Sequence, residues 1–202
     1  MKAPKALLLI DLQNDFCESG SLAVPMANTV IPIANELQLQ FDIIIATKDW
    51  HPADHMSFAV NHQHKKVGDV IDYQGLEQVL WPTHCIQHTQ GAEFHPDLKT
   101  EKIQQVIYKG TDKNIDSYSA FFDNAHLKKT DLEDWLRSRH INEIYIIGLA
   151  TDYCVKYSCL DAVMLGFKTY LIQKGCKGVD LKKGDVDRAL IEMIAAGVSL
   201  LD

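Results

Sequence analysis

The chain has 202 residues, 47% of them hydrophobic and 23% charged, with a formal net charge of -7 at neutral pH. That length and composition suit one folded domain with a substantial core and exclude a disordered chain. The acidic balance, with no run of Lys or Arg, argues against a nucleic-acid partner.

In chain order, Lys5–Ile10 reads as a buried strand, closed by Asp11. Its aliphatic run is too short to cross a bilayer and lacks a small-residue cleavage site, so a cytoplasmic protein without membrane contact is expected. Residues 27–40 read as a helix, with Asn28 as candidate N-cap and Pro32 in the first turn. Strands follow at 42–47 and 104–108, a helix at 131–139 with Thr130 as candidate cap, and a strand at 143–147. Then come a helix at 151–165, a strand at 167–172, a helix at 183–196 and a short strand at 198–201.

The order β-α-β-β-α-β-α-β-α-β predicts an α/β domain, a mainly parallel sheet with helices on both faces. Residues 1–202 are expected to form a single domain. Within it, residues 51–102 stand apart as an irregular insertion holding seven of the nine histidines; an irregular stretch that long is usually functional. The five cysteines (17, 85, 154, 159 and 176) are odd in number and form no C-x-x-C pair, which predicts free thiols in a reducing compartment.

The chemistry gathers where strands end. The first ends at Asp11, the second runs into Asp49-Trp50-His51, the third into Lys109-Gly110 and the fourth into Gly148–Cys154. In an open parallel sheet, ligands bind beyond the carboxyl ends of the strands. Each residue is ordinary alone; the argument is their shared edge. Cys154 falls in the first turn of a helix, where unpaired N–H groups and the helix dipole favour a thiolate and an oxyanion. Asp11 can exchange a proton with that thiol, and Lys109 can hold the negative charge. Asp49 and His51, two apart in an extended segment, can reach one ion, with His84 as a third ligand and His55 or Ser57 as a further contact. One divalent ion is expected, zinc fitting best, with iron or manganese as alternatives. The remaining histidines read as solvent-exposed.

Asp11-Leu12-Gln13-Asn14-Asp15-Phe16, Asp49-Trp50-His51-Pro52, Trp81-Pro82-Thr83-His84-Cys85, Lys109-Gly110 and Gly148–Val155 resemble, in order, the motifs of the nicotinamidases, a branch of the isochorismatase-like hydrolases. The resemblance implies a three-layer fold around a parallel sheet of about six strands. It implies a catalytic triad of Asp11, Lys109 and Cys154, and a metal on Asp49, His51 and His84. It also implies a cis peptide before Ala150, with an oxyanion hole from the backbone N–H groups of Ala150 and Cys154. The reaction implied is hydrolysis of nicotinamide to nicotinate and ammonia through a cysteine thioester, in NAD salvage. The metal is expected to bind the pyridine nitrogen or to activate the hydrolytic water. Phe16 and Trp81 are expected to sandwich the ring, with Tyr118 in the pocket wall. A homo-oligomer is allowed. The alternatives are a related hydrolase of another small amide or carbamoyl group, and a non-catalytic metal or thiol-redox protein; the latter is disfavoured by the lack of C-x-x-C.

Overall fold

The computed structural model describes residues 4–73 and 75–202. Its elements are β1 (Lys5–Ile10), α1 (Val30–Leu37), β2 (Ile43–Asp49), β3 (Val70–Tyr73), β4 (Leu76–Val79) and β5 (Ile103–Lys109). They continue with α2 (Leu132–Ser138), β6 (Glu143–Leu149), α3 (Lys156–Met164), β7 (Lys168–Lys177), α4 (Asp185–Ala196) and β8 (Ser199–Leu201). Among the described residues, no helix is long and apolar enough to cross a membrane.

Six strands form one sheet in the order β5-β2-β1-β6-β7-β8, and every pairing in it is parallel. Ala6 to Ile10 of β1 are all buried, as a central strand covered on both faces requires. From β1 the chain builds outward one way through β2 and β5; from β6 it builds the other way through β7 and β8. Right-handed crossovers therefore put α1 and α3 on opposite faces. β7 is contacted by both helices. The β1/β6 junction is where the direction of winding reverses, and a crevice opens there beyond the strand ends.

The helices follow from their patterns. Val30, Ile31, Ala34 and Leu37 bury one face of α1, at helical spacing. At the end of α4, Gly197 is left-handed, and the N–H groups of Gly197 and Val198 return to Ile194 and Met193.

Several expectations are corrected. Asn28 caps nothing: its Oδ1 accepts the Glu18 N–H at 2.9 Å, and a 3₁₀ turn at Ala27–Thr29 leads into α1. Thr130 does meet a helix start, its Oγ1 accepting the Leu132 N–H at 3.2 Å. β7 runs on to Lys177, past the polar residues Gln173 and Lys174, because a register shift restores its pairing at Gly148–Cys176. The segment 51–102 contains an antiparallel hairpin, β3–β4, which periodicity did not reveal. The stretch before α3 is not α-helical: Thr151–Val155 form a π-helical turn. All five cysteines are free and buried.

Candidate active site

The crevice is built from strand ends. Asp11 follows β1 with a left-handed backbone, φ 50°. Thr47 of the neighbouring β2 fixes it twice: its hydroxyl donates to Asp11 Oδ1 at 2.5 Å and accepts the Asp11 N–H at 3.0 Å. Asp11 Oδ2 lies 2.8 Å from Lys109 Nζ. That ion pair is the polar contact of this buried oxygen. Lys109 closes β5, is buried, and meets Asp49 Oδ1 at 2.7 Å, the Ser117 carbonyl at 3.2 Å and Cys154 Sγ at 3.4 Å. The structure thus brings Asp11, Lys109 and Cys154 together from three strand ends, β1, β5 and β6. The Leu149–Ala150 peptide is cis.

Electrostatics set the protonation states. Burial disfavours the Lys109 charge, but Asp11 and Asp49 outweigh it and hold the ammonium well above its ordinary range. Burial pushes the Asp11 carboxyl up, against the pull of Lys109. Burial also pushes the Cys154 thiol well above its ordinary value, although Lys109 opposes this. The expectation that the helix start would favour a thiolate is therefore corrected. Desolvation of the sulfur exceeds the nearby positive charge and favours the thiol form.

Asp49 closes β2 and is clamped through its backbone. Gln13 Nε2 donates to the Asp49 carbonyl at 2.7 Å and to the Ala92 carbonyl at 2.9 Å, and Gln13 Oε1 accepts the Asp49 N–H at 2.8 Å. Asp49 Oδ2 then faces His51 Nε2 at 3.1 Å and His84 Nε2 at 3.5 Å. Each ring turns its other nitrogen to a backbone carbonyl: His51 Nδ1 to Gly110 at 2.9 Å and His84 Nδ1 to Pro82 at 2.8 Å. Those bonds place the N–H on Nδ1 and the lone pair on Nε2, the usual arrangement of a metal-ligating histidine. Gly110 is required here, since a Cβ at its φ of 65° would strike the His51 ring.

The donor set of Asp49, His51 and His84 fits a divalent cation. One ligand atom from each lies within 4.8 Å of the others. Two nitrogen lone pairs aimed at one carboxylate oxygen share no proton of their own, and a cation among them satisfies all three. Burial works against charge on His51, yet Asp49 outweighs it and raises the imidazole, so the local field favours a cation. Asp49 itself is held well below the carboxylate range, because His51 and Lys109 overcome its burial. His55 and Ser57 lie beside this cluster, and His55 forms a second group of potential ligands with His51 and Asp116. His55 and Ser57 bond to each other at 2.8 Å, and the His55 ring packs on His51 with centroids 4.2 Å apart. Burial lowers His55 to about 4, leaving it neutral.

A cavity opens over Cys154 and Ala150, and Asp49 and His84 also line it. The three aromatic candidates, Phe16, Trp81 and Tyr118, all line it. Phe16 packs on the His84 ring, and Trp81 Nε1 donates to Tyr118 Oη at 3.1 Å. Tyr153 meets the Trp81 ring edge-on at 4.9 Å. Tyr153 and Asp116 also line the cavity, and sequence reasoning missed both. Tyr153 adjoins Cys154 and was within reach of motif reading. Asp116 sits in a polar loop without periodicity, and no local signal marks it.

The Isochorismatase domain family matches residues 5–202. The chain belongs to the isochorismatase family. Within it, a nicotinamidase of Escherichia coli (strain K12) is 48% identical over 203 residues, covering 98% of this chain and 94% of that protein. The solved nicotinamidase/pyrazinamidase of Acinetobacter baumanii superposes with a TM-score of 0.97 at 44% identity, covering 100% of this chain and 97% of that one. A pyrazinamidase of Pyrococcus horikoshii, solved in complex with zinc, superposes with a TM-score of 0.80 at 36% identity, covering 98% and 99%. This isochorismatase-family chain thus carries, at its strand ends, the residue types that its fold gathers into one crevice.

Proposed function

We propose that this chain hydrolyses nicotinamide to nicotinate and ammonia, a step that serves NAD salvage. The observation that carries the reading is Lys109, 2.8 Å from Asp11 and 3.4 Å from Cys154, with Cys154 in the lining of an aromatic-walled cavity. The similarity to nicotinamidases across nearly the whole chain supports the choice of substrate.

Asp11, whose carboxyl is raised by burial and so is a stronger base than an exposed aspartate, takes the Cys154 proton. The sulfur attacks the carboxamide carbon, and the carbonyl oxygen becomes an oxyanion. Backbone N–H groups of Ala150 and Cys154 receive it; one such donor is typically worth ~10²–10³ in rate. Asp11 returns the proton to the leaving nitrogen, and ammonia departs. Water, deprotonated by Asp11, then cleaves the thioester and releases the acid and the thiol. Lys109 stays charged throughout, balancing whichever of Asp11 and Cys154 is the anion. Phe16, Trp81 and Tyr118 hold the flat ring.

Asp49, His51 and His84 would hold one divalent cation, zinc by analogy with the Pyrococcus horikoshii relative and by the nitrogen-rich donor set. Bound there, it supplies a Lewis-acidic anchor beside the ring. In this reading residues 1–202 act as one domain, and 51–102 bring two of the three metal ligands to the sheet edge.

Ammonia release from nicotinamide, compared with aliphatic amides and carbamoyl compounds, tests the assignment. Preference for nicotinamide by at least ~10²-fold in kcat/KM is expected, since only a flat ring fills the aromatic walls. Preference for an aliphatic amide or a carbamoyl substrate would assign the same triad to a different hydrolase.

A further inference from the structure

Among the described residues the hairpin β3–β4 pairs with itself, and every residue of its two strands but Gln78 is exposed or half-buried. Gln78 departs from that pattern: it is only 3% exposed, and its side-chain amide reaches two residues that line the cavity, Asp116 and Tyr118. Its Nε2 donates to the Val79 carbonyl at 2.8 Å and to Asp116 Oδ2 at 3.0 Å, and lies 3.3 Å from Tyr118 Oη. That same Tyr118 oxygen accepts Trp81 Nε1–H. An amide nitrogen has two hydrogens, so one serves Val79 and the other is shared between Asp116 and Tyr118. Asp116 is held from its other side, Oδ1 accepting the Ser117 N–H at 2.8 Å. Asp116, Tyr118 and Trp81 all line the cavity over Cys154. One glutamine from outside the main sheet therefore ties two residues of the substrate wall, Asp116 and Tyr118, and through Tyr118 a third, Trp81. The contacts of Lys109, Asp11 and Cys154 do not include it.

We propose that Gln78 is a positioning residue for substrate recognition, fixing the Trp81–Tyr118 wall against which the ring lies. The inference rests on the hydrolase reading above. Because Gln78 touches the wall and not the reacting groups, it acts on ring binding and leaves bond cleavage alone. A residue that merely supported the fold would not separate the two.

Gln78→Met keeps the length of the side chain and removes both donors, leaving Asp116 with a buried oxygen unpaired. KM for nicotinamide rises about 10-fold while kcat stays within about threefold. Glu77→Ala, exposed on the same strand, changes neither. Tyr118→Phe raises KM as well, and the double variant Gln78→Met/Tyr118→Phe raises it by less than the product of the two single effects, because both act through one hydroxyl. An unchanged KM, or a fall in kcat at constant KM, overturns the proposal. If Gln78→Met shows no cooperative thermal transition, Gln78→Glu is read by the same criteria. If the wild type releases no ammonia from nicotinamide, the hydrolase reading fails and the wall is tested by alkylation of Cys154. The rate with a benzyl halide relative to iodoacetamide falls about fivefold in Gln78→Met if Gln78 sets the aromatic wall; an unchanged ratio overturns it.

Discussion

Asp49 Oδ1 accepts from Lys109 Nζ at 2.7 Å, while the other oxygen of the same carboxylate faces His51 and His84. One side chain therefore joins the proposed metal cluster to the proposed triad. Asp49→Asn removes one charge from both. Metal content after dialysis against a chelator is expected to fall to near zero, and kcat/KM by at least ~100-fold. Elemental analysis alongside steady-state kinetics reads both. Full metal retention in the variant would separate the two roles and place the ion elsewhere.

Thr47 donates to Asp11 Oδ1 and accepts from its N–H, and the donated bond favours the ionised carboxylate. Asp11 must be ionised to take the thiol proton, so kcat/KM falls as pH drops through its value in the folded enzyme. Burial has already raised that value from the ordinary one. Thr47→Val removes a hydrogen bond to the anion and raises it further. The acid limb of the kcat/KM profile should therefore move to higher pH, with the plateau above it still reached. A limb that stays in place or moves down would contradict Asp11 as the base.

Lys109 is buried against two carboxylates. Lys109→Met leaves two anions without their cation, and removing one partner from a buried pair typically costs ~3–5 kcal/mol. A lowered urea midpoint at unchanged slope is the expected result. Lys113→Met, in an exposed pair with Asp54, should leave the midpoint where it was. Equal midpoints for both variants would show that the buried pairing contributes nothing.

The strands were legible because each is an aliphatic run, and the chemistry was legible because each run stops at a polar residue. Asp11, Asp49, Lys109 and Cys154 share one edge once the strands are parallel, and parallel pairing follows from the alternation with helices. What stayed hidden depends on partners far along the chain. Gln13 clamps the Asp49 backbone across 36 positions, and Gln78 reaches Asp116 across 38. Periodicity reports which face of an element is buried, and it is silent on a side chain that satisfies a distant backbone or loop. Burial alternates along β3, but Val70 lies on the exposed side and the buried residue of β4 is Gln78, so hydrophobicity did not report the strands. The Cys154 thiol was misjudged for a related reason: sequence shows the helix start beside it but not the depth of enclosure that opposes ionisation.

The most direct test is ammonia release from nicotinamide by metal-loaded protein, with Cys154→Ala measured in parallel. The predicted result is steady release by the wild type and a loss of at least ~10³-fold in the variant, with the same thermal transition in both. Retention of activity in Cys154→Ala, or no release by the wild type, would contradict a cysteine-dependent amide hydrolase built on Asp11, Lys109 and Cys154.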